Sequence, residues 1–251
     1  MNGEINWSST RKLFIAGIIG CLLYVTGDYL YAGTGRGQTT ETIGFFVKVA
    51  YLDMATWRMW ASILCGFVGT LLYYMGFHRM YQLLMRRVTE PKNQIWVRFF
   101  RVSYITGTVA WAWVHAMFMS LALTFKYVYQ AYGDMEGAAD IASRVFYANA
   151  PGMITAYVLC DIGLTVTMIV LVWKKVIPLP GTGARILATL CNPIMLPDIF
   201  GNLMAMLPWP LNQLDHGTES FGHALVLILG LILLRDMEKA DSKSGKKNNE
   251  Q

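Results

Sequence analysis

Six long apolar runs constrain this chain more than any other feature of its sequence. About 20 apolar residues are needed for a helix to cross a bilayer, and in hydrocarbon every backbone polar group must be bonded internally. The composition agrees, since 55% of the residues are hydrophobic and only 15% are charged. The predicted fold is therefore an all-α, polytopic transmembrane bundle with six spans. The spans are predicted at residues 13–32, 57–78, 100–125, 150–173, 184–206 and 218–235.

Basic residues predict the orientation of this bundle. Sixteen of the 21 Lys and Arg residues fall on one side of the six spans and five on the other. Because cytoplasmic segments are enriched in Lys and Arg, both termini are predicted to be cytoplasmic. The net charge of +5 then reflects topology and a lipid bilayer as partner, and it does not indicate nucleic-acid binding.

The rest of the chain offers few features outside the spans. Residues 1–238 are predicted to form one transmembrane domain, and 239–251 a disordered polar cytoplasmic tail. Residues 44–55 are apolar but too short to span, which favours an interfacial helix or a re-entrant piece. Residues 126–149 are predicted to be a solvated acidic loop. The four cysteines lie in apolar runs and are interpreted as small core residues.

Ionisable side chains inside the spans are the candidates for function, because placing them in hydrocarbon is costly. The helical rise places Asp28 about 24 Å and His115 about 22 Å from the inner edge, and Asp161 near the midplane. Asp198 and residues 215–223 also fall in the outer half, whereas the inner half is almost purely apolar. This asymmetry predicts a one-sided polar site open to the outside, which fits an enzyme or binding pocket better than an alternating-access carrier.

The start of the last span suggests a metal site. His216, Glu219 and His223 share one stripe if the segment is helical, and imidazoles with carboxylates are zinc ligands. The candidate metal ligands are His115, His216, His223, Asp28 and Asp198. The alternative is a helix that starts after His216, with Thr218 or Asp215 as N-cap and His223 as a hydrogen-bonded core histidine.

Two acids and one arginine have further candidate roles. Glu219 and Asp161 are predicted to shuttle protons as catalytic residues. Arg58 is predicted to bind substrate by holding an anionic group such as a lipid phosphate. The alternative for Arg58 is a neutralising ion pair with Asp28, since both lie near the same face of the membrane.

The fifth predicted span contains a break. Pro193 and Pro197 remove two ladder hydrogen bonds, so this helix is expected to kink or open there. Asp198 and Asn202 would then point together off the break, with Asn202 as a second substrate-binding candidate. A kinked helix with capping Asn and Asp is the structural alternative.

Single residues spread over most of the chain carry a family resemblance. They are Gly27 and Asp28 at the end of the first span, Arg58, Gly66, Gly69 and Gly76 in the second, His115 in the third, and Gly201 and Asn202 in the fifth. In these positions the chain resembles a family of small bacterial six-helix membrane proteins with no assigned function. The resemblance implies a bacterial inner-membrane location and implies no activity.

Three function hypotheses follow from these patterns. The first is metal-assisted or acid–base hydrolysis of a lipid-like substrate, with zinc as the expected metal. The second is a transporter or channel for a small cation or polar solute, and the third is a non-catalytic scaffold or receptor. The distances among the candidate side chains separate them: a catalytic site needs convergence on one cavity, whereas a scaffold needs only separate pairs.

Overall fold

The computed structural model describes residues 5–35, 39, 41–44 and 46–248, and this part of the chain is almost entirely helical. The helices are α1 (Trp7–Ala32), α2 (Thr56–Arg87), α3 (Pro91–Tyr132), α4 (Met135–Thr155), α5 (Gly163–Trp173), α6 (Gly181–Leu190), α7 (Asn202–Ala205) and α8 (Thr218–Asn248). Two short antiparallel strands, β1 (Thr42–Ile43) and β2 (Val47–Lys48), pair between α1 and α2.

The bundle has two distinct ends. At the first, which we call the basic end, α1 begins and α2 ends, and ion pairs join Arg11 to Glu238 and Arg87 to Asp236 of α8. At the second, the pocket end, α1 ends, and α2 and α8 begin. There the Gln213 side chain accepts a hydrogen bond from the backbone of Thr34 at 2.8 Å. Helix α8 therefore runs antiparallel to α1.

Five helical stretches are long and apolar enough to cross a membrane. They are Trp7–Ala32, Thr56–Arg87, Pro91–Tyr132, Met135–Trp173 and Thr218–Ser242. The fourth is continuous because α4 and α5 are joined by a π-helical segment, Ala156–Ile162. The all-α prediction is thus confirmed for the described residues, and so is the presence of long apolar helices.

The predicted span 184–206 is not a continuous helix. Helix α6 ends at Leu190, and the chain then passes through a π-helical segment, Pro197–Gly201, before the short α7. The Asn192 carboxamide oxygen accepts hydrogen bonds from the backbone N–H groups of Ile194 and Met195 at 3.0 and 2.9 Å. The expected break is therefore present, and Asn192 caps the turn that follows it.

Glycines let α1 and α2 pack closely, as the small residues of both spans suggest. A Cβ added at Gly17 would lie 2.7 Å from the Gly76 Cα, and one at Gly20 would lie 2.6 Å from the Tyr73 backbone nitrogen. Real Cβ atoms do not approach backbone this closely. Only glycine fits at these positions, because the two backbones are in direct contact.

The solvated loop predicted at 126–149 is wrong, and so is the interfacial helix predicted at 44–55, whereas the re-entrant alternative for 44–55 stays a prediction. Residues 44–55 form β2 and a 3₁₀ turn (Val49–Tyr51), because Val47 and Tyr51 turn inward to pack on α3 and α4. Residues 126–149 belong to α3 and α4, which meet at Gly133 in a left-handed conformation, with Asp134 as N-cap of α4. Helices α3 and α8 are longer than the spans predicted for them. At 42 residues, α3 is about 63 Å long and extends well past a bilayer's hydrocarbon core.

Helix α8 continues to Asn248, into the segment 239–251 that is expected to be a disordered tail.

Replacing Gly17 with Ala should destabilise the protein by about 1–3 kcal/mol, because the new methyl group would collide with the backbone of α2. Gly183→Ala is the matched control, since a Cβ in this α6 position meets nothing within 4 Å and Ala is the better helix former. Denaturant unfolding in detergent measures both. Equal stability of the two variants would contradict a close α1–α2 contact.

Candidate functional site

A cavity of about 310 Å³ opens at the pocket end of the bundle. It lies between the end of α1, the middle of α3, the π-helical segment of the fourth long helix and the start of α8. Its polar lining residues are Asp28, His115, Asp215, His216, Thr218, Glu219 and Ser220, and its aromatic ones are Tyr31, Trp111, Phe118 and Tyr157. Four of the nine predicted site residues line it, namely Asp28, His115, His216 and Glu219, so the one-sided concentration of polar groups corresponds to a real cavity.

Asp28 lies on the inner wall of this cavity and contacts two other polar residues. Its Oδ2 accepts a hydrogen bond from the Ser220 hydroxyl at 2.7 Å, and its Oδ1 lies 3.9 Å from His115 Nε2. On the far side of the ring, His115 Nδ1 is 3.5 Å from the Ser62 hydroxyl. Gly66 makes room for the imidazole, because a Cβ there would lie 2.8 Å from the His115 Cβ. Helices α1, α2, α3 and α8 thus hold one connected polar group.

A second buried pair lies deeper, outside the cavity lining. His223 Nε2 and Asp161 Oδ1 are 3.0 Å apart, and the two side chains are 1% and 3% exposed. Asp161 belongs to the π-helical segment of the fourth long helix, in which Cys160 is also buried. In a π-helix neighbouring residues are separated by a smaller angle than in an α-helix, so Cys160 and Asp161 can both face the interior. Segments of this kind are frequent at functional sites.

Each of the three candidate histidines faces a different aspartate. His115 faces Asp28, His223 faces Asp161, and His216 Nδ1 lies 2.9 Å from Asp215 Oδ1. The helix α8 begins at Thr218 after Gly217, whose φ is +80°, so His216 lies off the helix. The stripe expected for His216, Glu219 and His223 is therefore not formed, and the predicted metal ligands are distributed over separate contacts.

His216 and Asp215 form the mouth of the cavity, next to Lys48 of β2. Burial lowers the pKa of the His216 imidazole, and the Asp215 carboxylate opposes this shift. Burial also lowers the pKa of the Lys48 ammonium, again against the effect of Asp215. Loss of water contact thus favours the neutral form of both bases, while the neighbouring carboxylate favours their charged form.

Glu219 is a buried acid of the cavity lining. Its Oε1 is buried and has no hydrogen-bond partner among the described residues. Its carboxyl group interacts electrostatically with Asp161, His223 and Asp28. Glu219 therefore links the cavity to the deeper pair, and its predicted role in proton transfer with Asp161 stays a prediction.

The two predicted substrate-binding residues lie outside the cavity lining. The Arg58 guanidinium donates to the backbone oxygens of Gly33 at 2.6 Å and Tyr29 at 3.3 Å, so it caps the end of α1. Arg58 forms no ion pair with Asp28 in the described part of the chain. Asn202 is exposed at the start of α7, and the Asp198 side chain lies outside the described residues.

The sequence analysis did not single out Cys160, Tyr31, Tyr157 or Ser220. Cys160 was interpreted as a core residue because it stands in an apolar run, yet it lies against Asp161 and His223. A lone cysteine or tyrosine in a span carries no signal by itself. The structure also places the Trp111 ring on the cavity wall.

The fold and the site define the class of the protein: an all-α bundle with helices that could span a membrane and with polar groups gathered in one cavity. The chain matches, over residues 1–237, the model of a family of unknown function, DUF6796. It belongs to this family, which confirms the resemblance to an uncharacterised family. The comparisons with curated proteins and with solved structures give no match.

A double-mutant cycle should separate the contacts of Asp28. We expect Asp28→Asn and Ser220→Ala to be non-additive by about 0.5–3 kcal/mol in unfolding free energy, because the two side chains are hydrogen-bonded. Asp28→Asn and Arg58→Gln should add within about 0.5 kcal/mol, because Arg58 caps α1 instead of pairing with Asp28. A larger coupling for Arg58 than for Ser220 would contradict this assignment.

Proposed function

We propose that this protein is a multi-pass membrane protein that binds a small organic cation in the cavity at its pocket end. Binding is the step that the hydrolase, transporter and receptor hypotheses share, so it is the function that the geometry supports most directly. The observation that carries the proposal is the presence of three carboxyl groups and four aromatic rings in the lining of one cavity.

Charge supports a cationic ligand. Asp28 and Glu219 line the cavity with Asp215, and none of the described lining residues is Lys or Arg. A carboxylate in a poorly hydrated site needs a partner of opposite charge, and a bound cation would supply it. The volume of about 310 Å³ is at the small end of the range of ligand pockets.

The aromatic residues support an organic cation in particular. Tyr31, Trp111, Phe118 and Tyr157 line the same cavity as the carboxyl groups. Aromatic faces attract ammonium and quaternary ammonium groups through their electron-rich π-systems, by about 0.5–2 kcal/mol for each ring. A bare metal ion would gain little from such walls, since hard cations prefer oxygen ligands throughout their shell.

The proposed membrane topology has six crossings with both termini in the cytoplasm. Large apolar side chains are exposed on the outer faces of the long helices, for example Leu71 at 66% and Val109 at 73%, as a lipid environment requires. The chain starts from the basic end at Lys174 and reaches the pocket end at Gly217. This path supports a sixth crossing made of α6, the π-helical segment Pro197–Gly201 and α7. The inner bacterial membrane is the proposed location.

Cation binding can be tested with benzyltrimethylammonium, using the fluorescence of Trp111 and its neighbours in detergent-purified protein. We expect saturable binding, at least tenfold weaker affinity in Asp28→Asn and Glu219→Gln, and no change in Asp140→Asn. The Asp140 side chain is an exposed carboxylate that pairs with Arg144 far from the cavity, so it is the matched control. The neutral isostere neopentylbenzene should bind at least tenfold more weakly. Equal binding of the two probes, or of the Asp28 variant and wild type, would overturn the proposal.

Reporter fusions test the sixth crossing. Fusions that end at Leu179 and at Asn212 should report opposite sides of the membrane, with green fluorescent protein fluorescent at Leu179 and alkaline phosphatase active at Asn212. Fusions at Val88 and Gly133 serve as controls, because they lie at the two ends of α3. The same side for Leu179 and Asn212 would rule out a crossing between α5 and α8.

A further inference from the structure

We infer that Cys160, Asp161 and His223 form a buried binding site for a divalent transition metal of the zinc class. This site is distinct from the cavity proposed for the organic cation and from the ligand set expected from the sequence. Only His223 is shared with that set. The proposed role of the metal is to fasten the π-helical segment of the fourth long helix to α8.

Three donor atoms of suitable chemistry lie together at this place. One ligand atom from each residue, namely the Cys160 sulfur, a carboxylate oxygen of Asp161 and a ring nitrogen of His223, lies within 4.8 Å of the others. In a tetrahedral zinc site, bonds of about 2.0–2.3 Å put neighbouring ligand atoms about 3.3–3.5 Å apart. The three side chains therefore need to converge by at most about 1.5 Å.

The donors are buried and incompletely bonded. Cys160, Asp161 and His223 are 0%, 2% and 1% exposed. Asp161 Oδ2 and His223 Nδ1 have no hydrogen-bond partner among the described residues. Buried polar atoms are nearly always bonded, and beside His223 the described neighbours that interact with the Asp161 carboxyl group are Cys160 and Glu219. A metal ion at this place would contact the Asp161 carboxylate and the His223 ring in place of their mutual hydrogen bond.

Two neighbouring groups can donate hydrogen bonds to the Cys160 sulfur. The Tyr73 hydroxyl lies 3.6 Å from the Cys160 sulfur, and the Trp111 indole N–H also interacts with it. Both groups can donate to a sulfur anion, and such donors orient and stabilise metal-bound thiolates. Gly107 makes room for the sulfur, because a Cβ at this position would lie 2.4 Å from it.

The ligand types select the metal class. A thiolate and an imidazole favour zinc and its neighbours over magnesium or calcium, which prefer oxygen donors throughout. Three protein ligands leave a fourth position. A water molecule can take this position, which leaves Glu219 as a lining residue of the cavity.

Metal binding also has a defined proton balance. The Cys160 thiol loses its proton when sulfur bonds to the metal, and this proton is released to the solvent. Affinity should therefore rise with pH. No oxidation or reduction is involved, since zinc keeps its charge throughout.

The test uses full-length protein purified in detergent without a polyhistidine tag, to which Zn²⁺ or Co²⁺ is added. We expect one metal per chain by elemental analysis, a higher thermal midpoint with Zn²⁺, and a sulfur-to-cobalt charge-transfer band with Co²⁺. Cys160→Ser should lose that band, and Asp161→Asn and His223→Gln should each weaken metal binding at least tenfold.

Cys21→Ser is the matched control, since Cys21 is an equally buried free cysteine of the bundle outside the three-residue cluster. It should keep the cobalt band and the stabilisation by Zn²⁺. The outcome that defeats the inference is wild-type protein that binds neither metal stoichiometrically. The inference also fails if Cys160→Ser keeps the charge-transfer band. The metal stoichiometry is measured on wild type and the charge-transfer band on Cys160→Ser. The test therefore remains decisive even if the Asp161 or His223 variant misfolds. Loss of organic-cation binding alone leaves the metal inference intact.

Discussion

The arrangement of this protein depends on how acids can be held inside an apolar bundle. Asp28, Asp161 and Glu219 lie among long apolar helices, and in the described part of the chain none of them forms an ion pair with Lys or Arg. A charge in a poorly polarisable interior needs compensation close by. Ser220 and His115 supply part of it for Asp28, and His223 supplies part of it for Asp161, whereas Glu219 interacts with Asp161 and His223. The cavity and the deeper cluster both contain acids that require such compensation.

Helix geometry makes that arrangement possible. Contact between the α1 and α2 backbones at Gly17 and Gly76 draws the helices together, and Gly66 leaves space for the His115 ring between them. On the other side of the bundle, the π-helical segment Ala156–Ile162 turns both Cys160 and Asp161 inward. The break after α6 brings Pro193 against Gly222 of α8, where a Cβ would lie 2.7 Å from the proline. The close helix contacts and the irregular segments therefore also determine where the polar side chains of the site lie.

Local sequence patterns predicted part of the architecture well and part of it poorly. The apolar runs predicted five of the long helices, and the prolines predicted the break between α6 and α7. The segment 126–149 was misassigned as a loop because its charges were taken as a sign of solvent exposure. Gly133 followed by Asp134 was the usable signal there, since a left-handed glycine and an N-cap are what join two helices. The hairpin at 42–48 had no such signal, because its residues are held by contacts with α3 and α4.

By itself the sequence determined that the chain is an all-α protein with long apolar helices and that its rare ionisable groups gather toward one end. Both follow from composition and spacing, since apolar length sets what can cross a bilayer and helical rise sets depth. Only the tertiary structure decided which groups meet. Pairs such as His223 with Asp161, or Arg58 with the carbonyl of Gly33, join residues 62 and 25 positions apart. Such contacts depend on the rotation and packing of whole helices, which no local pattern specifies.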